Sequence, residues 1–126
     1  MNLPEDFKEF IELMNSHSVR YVMIGGFAYN LYRNPRATGD IDFFVASNEA
    51  NELRIRQVLT EFGFGGTFGS SPLLQPGKVI MLGKSPFRID ILTEISAVSF
   101  AEAESTAQVM QISGIEIAVI SPELLL

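Results

Sequence analysis

The sequence predicts an α/β (α+β) domain, on three observations. Apolar residues first recur at i, i+3, i+4 and i+7, the spacing of a helix face: Phe7, Phe10, Ile11 and Met14. A short run from Val19 to Ile24, apolar except for Arg20, is then consistent with a buried strand. Later in the chain, pairs of short apolar segments flank turn residues, the pattern of β-hairpins. Helices and strands therefore alternate along the chain.

Composition narrows the class of protein. The chain of 126 residues is long enough for a single domain with its own core. Its composition, 47% hydrophobic and 19% charged residues, is typical of a globular protein. The net charge of −6 argues against a broad nucleic-acid-binding surface, although a polyanionic substrate held through metal ions or a local arginine cluster is compatible with it. The absence of cysteine excludes disulfides, thiolate zinc sites and a cysteine nucleophile.

The N-terminal segment gives no sign of export. Acidic residues run through the first predicted helix, unlike a signal peptide: Glu5, Asp6, Glu9 and Glu12. The longest apolar runs are far shorter than a membrane span. We therefore expect a cytoplasmic protein with no membrane partner.

The stretch from Tyr21 to Val45 organises the chain. Its apolar strand ends at Gly25 and Gly26, which turn into a helix of about two turns. A second strand is predicted from Asp40 to Ala46. Because the glycines carry no side chain, a phosphate can approach the helix N-terminus, where unpaired N–H groups and the helix dipole favour an anion.

Polar residues occupy every second position into this second strand: Arg36, Thr38, Asp40 and Asp42. In an extended segment, these side chains leave the same face. Adjacent carboxylates repel each other, and a divalent cation that prefers oxygen ligands, Mg²⁺ or Mn²⁺, offsets that repulsion most directly. A phosphate cradle followed by a carboxylate metal clamp is the layout of a phosphoryl-type transferase.

Caps and turns predict the other elements. Ser47 or Asn48 caps a third helix, which Gly63 ends. The segment 63–77 is rich in glycine and proline, which indicates an irregular or mobile loop. Two hairpins and two helix starts complete the chain: strands Val79–Leu82 and Phe87–Leu92, a helix capped by Ser99, strands Val109–Ile112 and Ile115–Val119, and a helix start at Ser121-Pro122-Glu123.

A third carboxylate stands on a later strand. Asp90 lies between two isoleucines in a run otherwise expected to be buried, and it shares a strand face with Arg88. A buried carboxylate needs a partner. If this strand lies beside the second strand, Asp90 faces Asp40 and Asp42. Three acids around two cations, about 3.5–4 Å apart, are what in-line nucleotidyl transfer requires.

Together these motifs resemble those of the DNA-polymerase-beta-like nucleotidyltransferase superfamily. The residues that carry the resemblance are the glycine pair, the D-I-D motif at 40–42 and the R-I-D-I motif at 88–91. The spellings GGFA from Gly25 and RATGDID from Arg36 are similar to the AbiEii-type toxin and related minimal nucleotidyltransferases. The similarity extends from Val19 to Glu123.

The resemblance implies a mixed β-sheet flanked by helices. It also implies transfer of a nucleoside monophosphate from an NTP to an acceptor hydroxyl, with release of pyrophosphate. By position, Asp40, Asp42 and Asp90 match the catalytic, metal-binding acids. The candidate nucleotide-binding residues are Gly25, Gly26, Arg36, Thr38 and Arg88. Relatives use RNA ends, proteins or small molecules as acceptors.

The sequence departs from its relatives in two places. Many have a serine where Gly26 stands, so phosphate contacts here would come from the backbone alone. AbiEii-type enzymes continue into a helical region, and this chain ends after Leu124, Leu125 and Leu126 where that region would begin. We expect the leucines to fold back onto the domain or to dock against a second copy, and a homodimer is the prediction.

Other readings of the motifs remain open. A D-x-D motif alone is weak evidence. In the metal-free protein, Arg36 and Arg88 can pair with the acids instead of with a triphosphate. The chain could also be a non-catalytic nucleotide- or partner-binding module of a toxin–antitoxin type system. A phosphohydrolase is disfavoured, because such sites recruit histidines or further acids and none cluster in this sequence.

Overall fold

The computed structural model describes residues 3–33, 39–84 and 87–125. The helices in these ranges are α1 (Glu5–Ser16), α2 (Gly25–Arg33), α3 (Glu49–Leu59) and α4 (Phe100–Thr106). The strands are β1 (Tyr21–Ile24), β2 (Ile41–Val45), β3 (Val79–Leu82), β4 (Ile89–Leu92), β5 (Gln108–Ile112) and β6 (Ile115–Val119). A π-helical turn, Thr60–Phe64, extends α3, and a 3₁₀ turn, Pro122–Leu124, follows β6.

The strands form one mixed sheet in the order β3-β4-β2-β1-β6-β5. Three pairs are antiparallel, β1 with β2, β3 with β4 and β5 with β6. Two are parallel, β2 with β4 and β1 with β6. The predicted α+β class and mixed sheet are thus confirmed. The central strands β2 and β1 sit between the two hairpins.

Helices cover both faces of this sheet. On one face, the ring of Phe43 in β2 lies 5.7 Å from that of Phe10 in α1. On the other face, Phe44 packs edge-on against Phe100 of α4 at 5.3 Å. Neighbouring residues of one strand point to opposite faces, so β2 is buried on both sides. This buried strand carries Asp42.

Side-chain caps begin the predicted helices where the sequence indicated. The Asn48 carboxamide accepts a hydrogen bond from the Asn51 backbone N–H at 2.8 Å, so Asn48 rather than Ser47 is the cap of α3. The Ser99 hydroxyl accepts from the Glu102 N–H at 3.1 Å and caps α4. Gly63 has φ of +104°, and it lies within the π-helical turn that ends this helical segment.

Three predicted strands begin later than expected, and one of them is β2, which spans Ile41–Val45 rather than Asp40 to Ala46. In β1 and β4, the early residues have other hydrogen-bond partners. The N–H of Val19 donates to the carbonyl of Met14 at 2.9 Å and closes the end of α1, so β1 begins at Tyr21. In the second case, the N–H of Arg88 donates to the Asp40 carboxylate at 3.1 Å, and β4 begins at Ile89 rather than at Phe87.

The C-terminal leucines partly fold back. Leu124 and Leu125 are half-buried and pack against the core, whereas Leu126 lies outside the described residues. The homodimer predicted from these leucines stays a prediction. No helix in the described ranges is long and apolar enough to cross a membrane.

Candidate active site

A glycine turn joins β1 to α2 directly beside Asp42. The last residue of β1, Ile24, pairs with Asp42 across the antiparallel strands, and α2 begins at the next residue, Gly25. Gly25 has φ of +75°, a conformation that side chains disfavour. A Cβ atom at Gly25 would lie 3.2 Å from Cγ of Asp42 and closer still to its Oδ2 atom. The Asp42 carboxylate therefore rests against bare backbone at the N-terminus of α2.

Gly26 differs from Gly25 in its surroundings. It adopts helical backbone, and a Cβ atom there would meet nothing within 4 Å. The first turn of α2 is thus open to an incoming group at this position. An anion approaching it would meet the N–H groups that a helix leaves unpaired in its first turn.

We expect alanine to have opposite effects at the two glycines. Gly25→Ala should lower the free energy of unfolding by about 2–4 kcal/mol, because it combines a left-handed backbone with a clash against Asp42. Gly26→Ala should leave it unchanged or raise it by up to about 1 kcal/mol, because alanine favours a helix. Urea denaturation of both variants measures this difference, and equal stabilities would contradict the described turn.

Asp42 and Asp90 form a carboxylate pair. They are direct neighbours in the parallel β2–β4 register, so both side chains leave the same face of the sheet. Asp90 is 7% exposed and Asp42 is half-buried. The pKa of Asp42 is raised to about 6, first by burial and then by the hydrogen bond and charge of Asp90 and the charge of Asp40. Burial is thus the first cause of this rise in pKa, and the neighbouring acids are the second.

Arg88 supplies the positive charge beside this pair. Its Nε and one terminal nitrogen donate to the two oxygens of Asp90 at 2.7 and 2.9 Å, a bidentate geometry. The same terminal nitrogen lies 3.3 Å from Oδ2 of Asp40. The hydrogen bonds to Asp90 raise the pKa of Arg88 above its ordinary value, and the positive charge of Arg88 lowers the pKa of Asp42. The arginine side chain is about one-third exposed, so it has room to move.

Asp40 lies one residue before β2 and on the far side of Arg88. Its carboxylate accepts the Arg88 backbone N–H and faces the guanidinium. Across residues 3–33, 39–84 and 87–125, no three acidic or histidine side chains are arranged as a metal site. The expected three-carboxylate convergence is therefore reduced to a pair, because Arg88 stands between Asp40 and Asp90. Arg36 and Thr38 lie outside the described residues.

The donor chemistry at this site suits a hard divalent cation. Asp42 and Asp90 present adjacent carboxylate oxygens, the ligand type of Mg²⁺ and Mn²⁺. Burial and the nearby charges of Asp90 and Asp40 raise the pKa of Asp42 even with Arg88 beside it, and a bound cation would offset that repulsion. Asp40 could add a third carboxylate if the guanidinium moved aside. The residues present therefore fit such an ion.

Fold and site together define a nucleotidyltransferase-type protein: a mixed sheet with a glycine turn, an acid on the adjoining strand and a second acid on the next one. The chain belongs to the family described as "Nucleotidyl transferase of unknown function (DUF2204)", whose model matches residues 4–126. This confirms the superfamily and the enzyme class that the motifs indicated. The AbiEii-type branch stays a prediction.

A solved structure shares this fold. It is a crystal structure of a protein from Thermotoga maritima titled a putative nucleotidyltransferase, and it superposes with a TM-score of 0.67 at 16% sequence identity. The match covers 98% of this chain and 81% of that chain. At this identity the likeness concerns the fold. No curated protein matches the sequence.

Proposed function

We propose that the protein is a metal-dependent nucleotidyltransferase that moves a nucleoside monophosphate from an NTP to an acceptor hydroxyl and releases pyrophosphate. One observation carries the proposal: the Asp42–Asp90 pair lies next to the open turn at Gly25 and Gly26. A site that places an anion cradle against paired carboxylates suits a triphosphate bound through Mg²⁺ or Mn²⁺. The proposed setting is the cytoplasm, and the acceptor is an RNA end, a protein or a small molecule.

Each side chain has a proposed role. Asp42 and Asp90, joined by Asp40, hold Mg²⁺ or Mn²⁺. Bound there, the metal neutralises charge on the triphosphate. The N–H groups at Gly25 and Gly26 hold phosphate oxygens. Arg88 turns from Asp90 toward the triphosphate, and Arg36 and Thr38 are proposed as further nucleotide contacts.

The transfer is an in-line displacement at the α-phosphorus. The acceptor oxygen forms a bond to this phosphorus while the bond to the bridging oxygen breaks, and that electron pair leaves with pyrophosphate. The acceptor proton passes to the Asp42–Asp90 pair.

A non-catalytic nucleotide- or partner-binding module, as in a toxin–antitoxin type system, is the second candidate. One observation favours it: Arg88 already bridges Asp40 and Asp90, so these acids are compensated without any ligand. Such a protein would bind a nucleotide or a partner chain and leave it unchanged.

Calorimetry with ATP, GTP, CTP and UTP in the presence of Mg²⁺, followed by an assay for pyrophosphate with an RNA end, a protein and small hydroxyl compounds supplied as acceptors, tests the proposal. We expect binding of at least one NTP and release of pyrophosphate. Asp90→Asn should abolish the release, which makes it the background control. Tight binding without turnover would support the binding module, and release of orthophosphate would identify a hydrolase.

A further inference from the structure

An apolar platform lies on the acid face of the sheet, formed by Val79, Met81 and Leu92. Met81 is the direct neighbour of Asp90 across the β3–β4 pair, and Val79 is the neighbour of Leu92. Directly opposed residues in a sheet share a face, and so do residues two apart in one strand. The three apolar side chains therefore share a face with Asp90 and Asp42.

This platform is exposed where the rest of the same face is covered. Met81 is 57% and Val79 is 43% exposed, whereas Ile80 and Leu82, which point to the opposite face, are buried. On the acid face, α4 covers Phe44 of β2. In β3, the strand at the edge of the sheet, Met81 and Val79 on the same face are exposed. Two large apolar side chains beside a candidate active site are thus left open.

A cavity of about 320 Å³ adjoins the platform. Val79 and Leu92 belong to its lining, together with Thr93, Ile95 and, at the exposed edge, Lys78 and Glu94. Leu92 lies two residues from Asp90, a separation of about 7 Å along a strand. The cavity therefore begins within the length of one small molecule from the acids.

The geometry of in-line displacement decides which substrate this region can hold. Across the sheet the order is glycine turn, Asp42, Asp90 and Met81, with about 4.8 Å between neighbouring strands. In the proposed function, the phosphates that leave lie at the glycine turn. The attacking oxygen must enter from the opposite side of the phosphorus. That side lies over Asp90 and Met81.

We infer that the platform and its cavity are the acceptor subsite, and that the acceptor is a small hydroxyl compound with an apolar body. This inference rests on the proposed function. The hydroxyl enters over Asp90, and the apolar body lies on Met81 and Val79. A new ester bond forms between the acceptor oxygen and the α-phosphorus as pyrophosphate leaves, and the hydroxyl proton passes to the carboxylate pair.

Size and charge favour a small acceptor over an RNA end. The cavity volume is at the lower end of the range for small-molecule sites. Its edge carries one ammonium group, Lys78, and one carboxylate, Glu94, which gives no net attraction for a polyanion. The whole chain has a charge of −6, which would repel an RNA backbone further.

The test uses two exposed valines on opposite edges of the sheet. Val79→Trp fills the proposed subsite, and Val109→Trp places the same side chain on β5, where Val109 is 67% exposed. The full chain is incubated with α-³²P-labelled NTPs and Mg²⁺. Four small acceptors are offered, glycerol, serine amide, tyrosine amide and 4-hydroxybenzyl alcohol, beside an RNA oligonucleotide with a free 3′ hydroxyl and denatured casein.

We expect label on a small acceptor with an apolar body. Val79→Trp should lower kcat/KM for that acceptor by about tenfold or more, and Val109→Trp should not change it. Affinity for a non-hydrolysable NTP analogue, measured by calorimetry, shows that the Val79→Trp protein is folded. Met81→Trp serves as the second variant if Val79→Trp does not fold.

The outcomes separate this inference from the proposed function. If pyrophosphate is released and the label is found on RNA or casein, the acceptor inference is wrong while the transferase stands. Equal transfer by the Val79→Trp and Val109→Trp proteins would also overturn it. If the wild-type chain releases no pyrophosphate from any NTP, both proposals are wrong.

Discussion

Asp42→Asn is expected to abolish transfer while making the protein more stable. Loss of this carboxylate removes a proposed metal ligand and proton acceptor, so turnover should fall by about 10³-fold. The Mg²⁺ or Mn²⁺ isotherm should be lost with it. At neutral pH and with a chelator present, the free energy of unfolding should rise by about 1–2 kcal/mol, a value reduced because Asp42 is only half-buried.

The sign of the stability change follows from the pKa of Asp42. This pKa is about 6 in the folded protein, above its ordinary value of 3.8. Between these two values the folded state binds more protons than the unfolded state, so stability falls as the pH rises from about 4 to about 6. Above that range the charged Asp42 destabilises the fold in full. Asparagine carries no charge, so the advantage of the variant should vanish below about pH 4.

Urea denaturation at several pH values between about 4 and 7.5 measures this dependence. Glu9→Gln is the matched control. Glu9 is exposed on α1, and its replacement removes one negative charge from the same chain. It should change neither the pH dependence nor the metal isotherm. If Asp42→Asn still bound the metal, Asp42 would not be a metal ligand. If its free energy of unfolding at neutral pH were unchanged, the charge of Asp42 would not destabilise the folded protein.

The sequence allowed us to predict which face of its strand each acidic side chain occupies, because the alternation of side chains along a strand is a local property. Asp90 sits between two isoleucines that had to be buried, and its own direction follows from period two. The position of Asp90 beside Asp42 could not be predicted from such a local pattern, because β2 and β4 are neighbours in the sheet but are separated along the chain by α3 and β3. No local pattern encodes that adjacency, and it came only from the resemblance to a known superfamily.

Arg88 shows why the remainder of the site could not be predicted. Its shared face with Asp90 was evident, but its backbone N–H to Asp40 joins residues 48 apart in sequence. That contact fixes Asp40 outside β2 and puts a guanidinium between two acids. The exposure of Met81 was also missed. The alternation in β3 gives its direction, but its exposure depends on the packing of helices, none of which covers it among the described residues.

Arg88→Gln is expected to shift metal and nucleotide binding in opposite directions. Its guanidinium neutralises Asp90 through two hydrogen bonds and also faces Asp40. Without it, the carboxylates should bind Mn²⁺ about tenfold more tightly, because an opposing charge no longer occupies them. Affinity for an NTP should fall, because a proposed phosphate contact is lost. With a chelator present, the melting temperature should drop, since Asp90 is left buried without its counter-ion.

Arg20→Gln provides the matched control. Arg20 makes the same bidentate contact with Glu104, at 2.9 and 2.8 Å, next to β1 at the end away from the glycine turn. Melting temperatures with and without Mn²⁺ measure the effect, because an ion that binds only the folded state stabilises it in proportion to its affinity. Mn²⁺ should raise the melting temperature of Arg88→Gln more than that of Arg20→Gln or the wild type. Equal shifts in all three proteins would mean that Asp42 and Asp90 do not hold the metal.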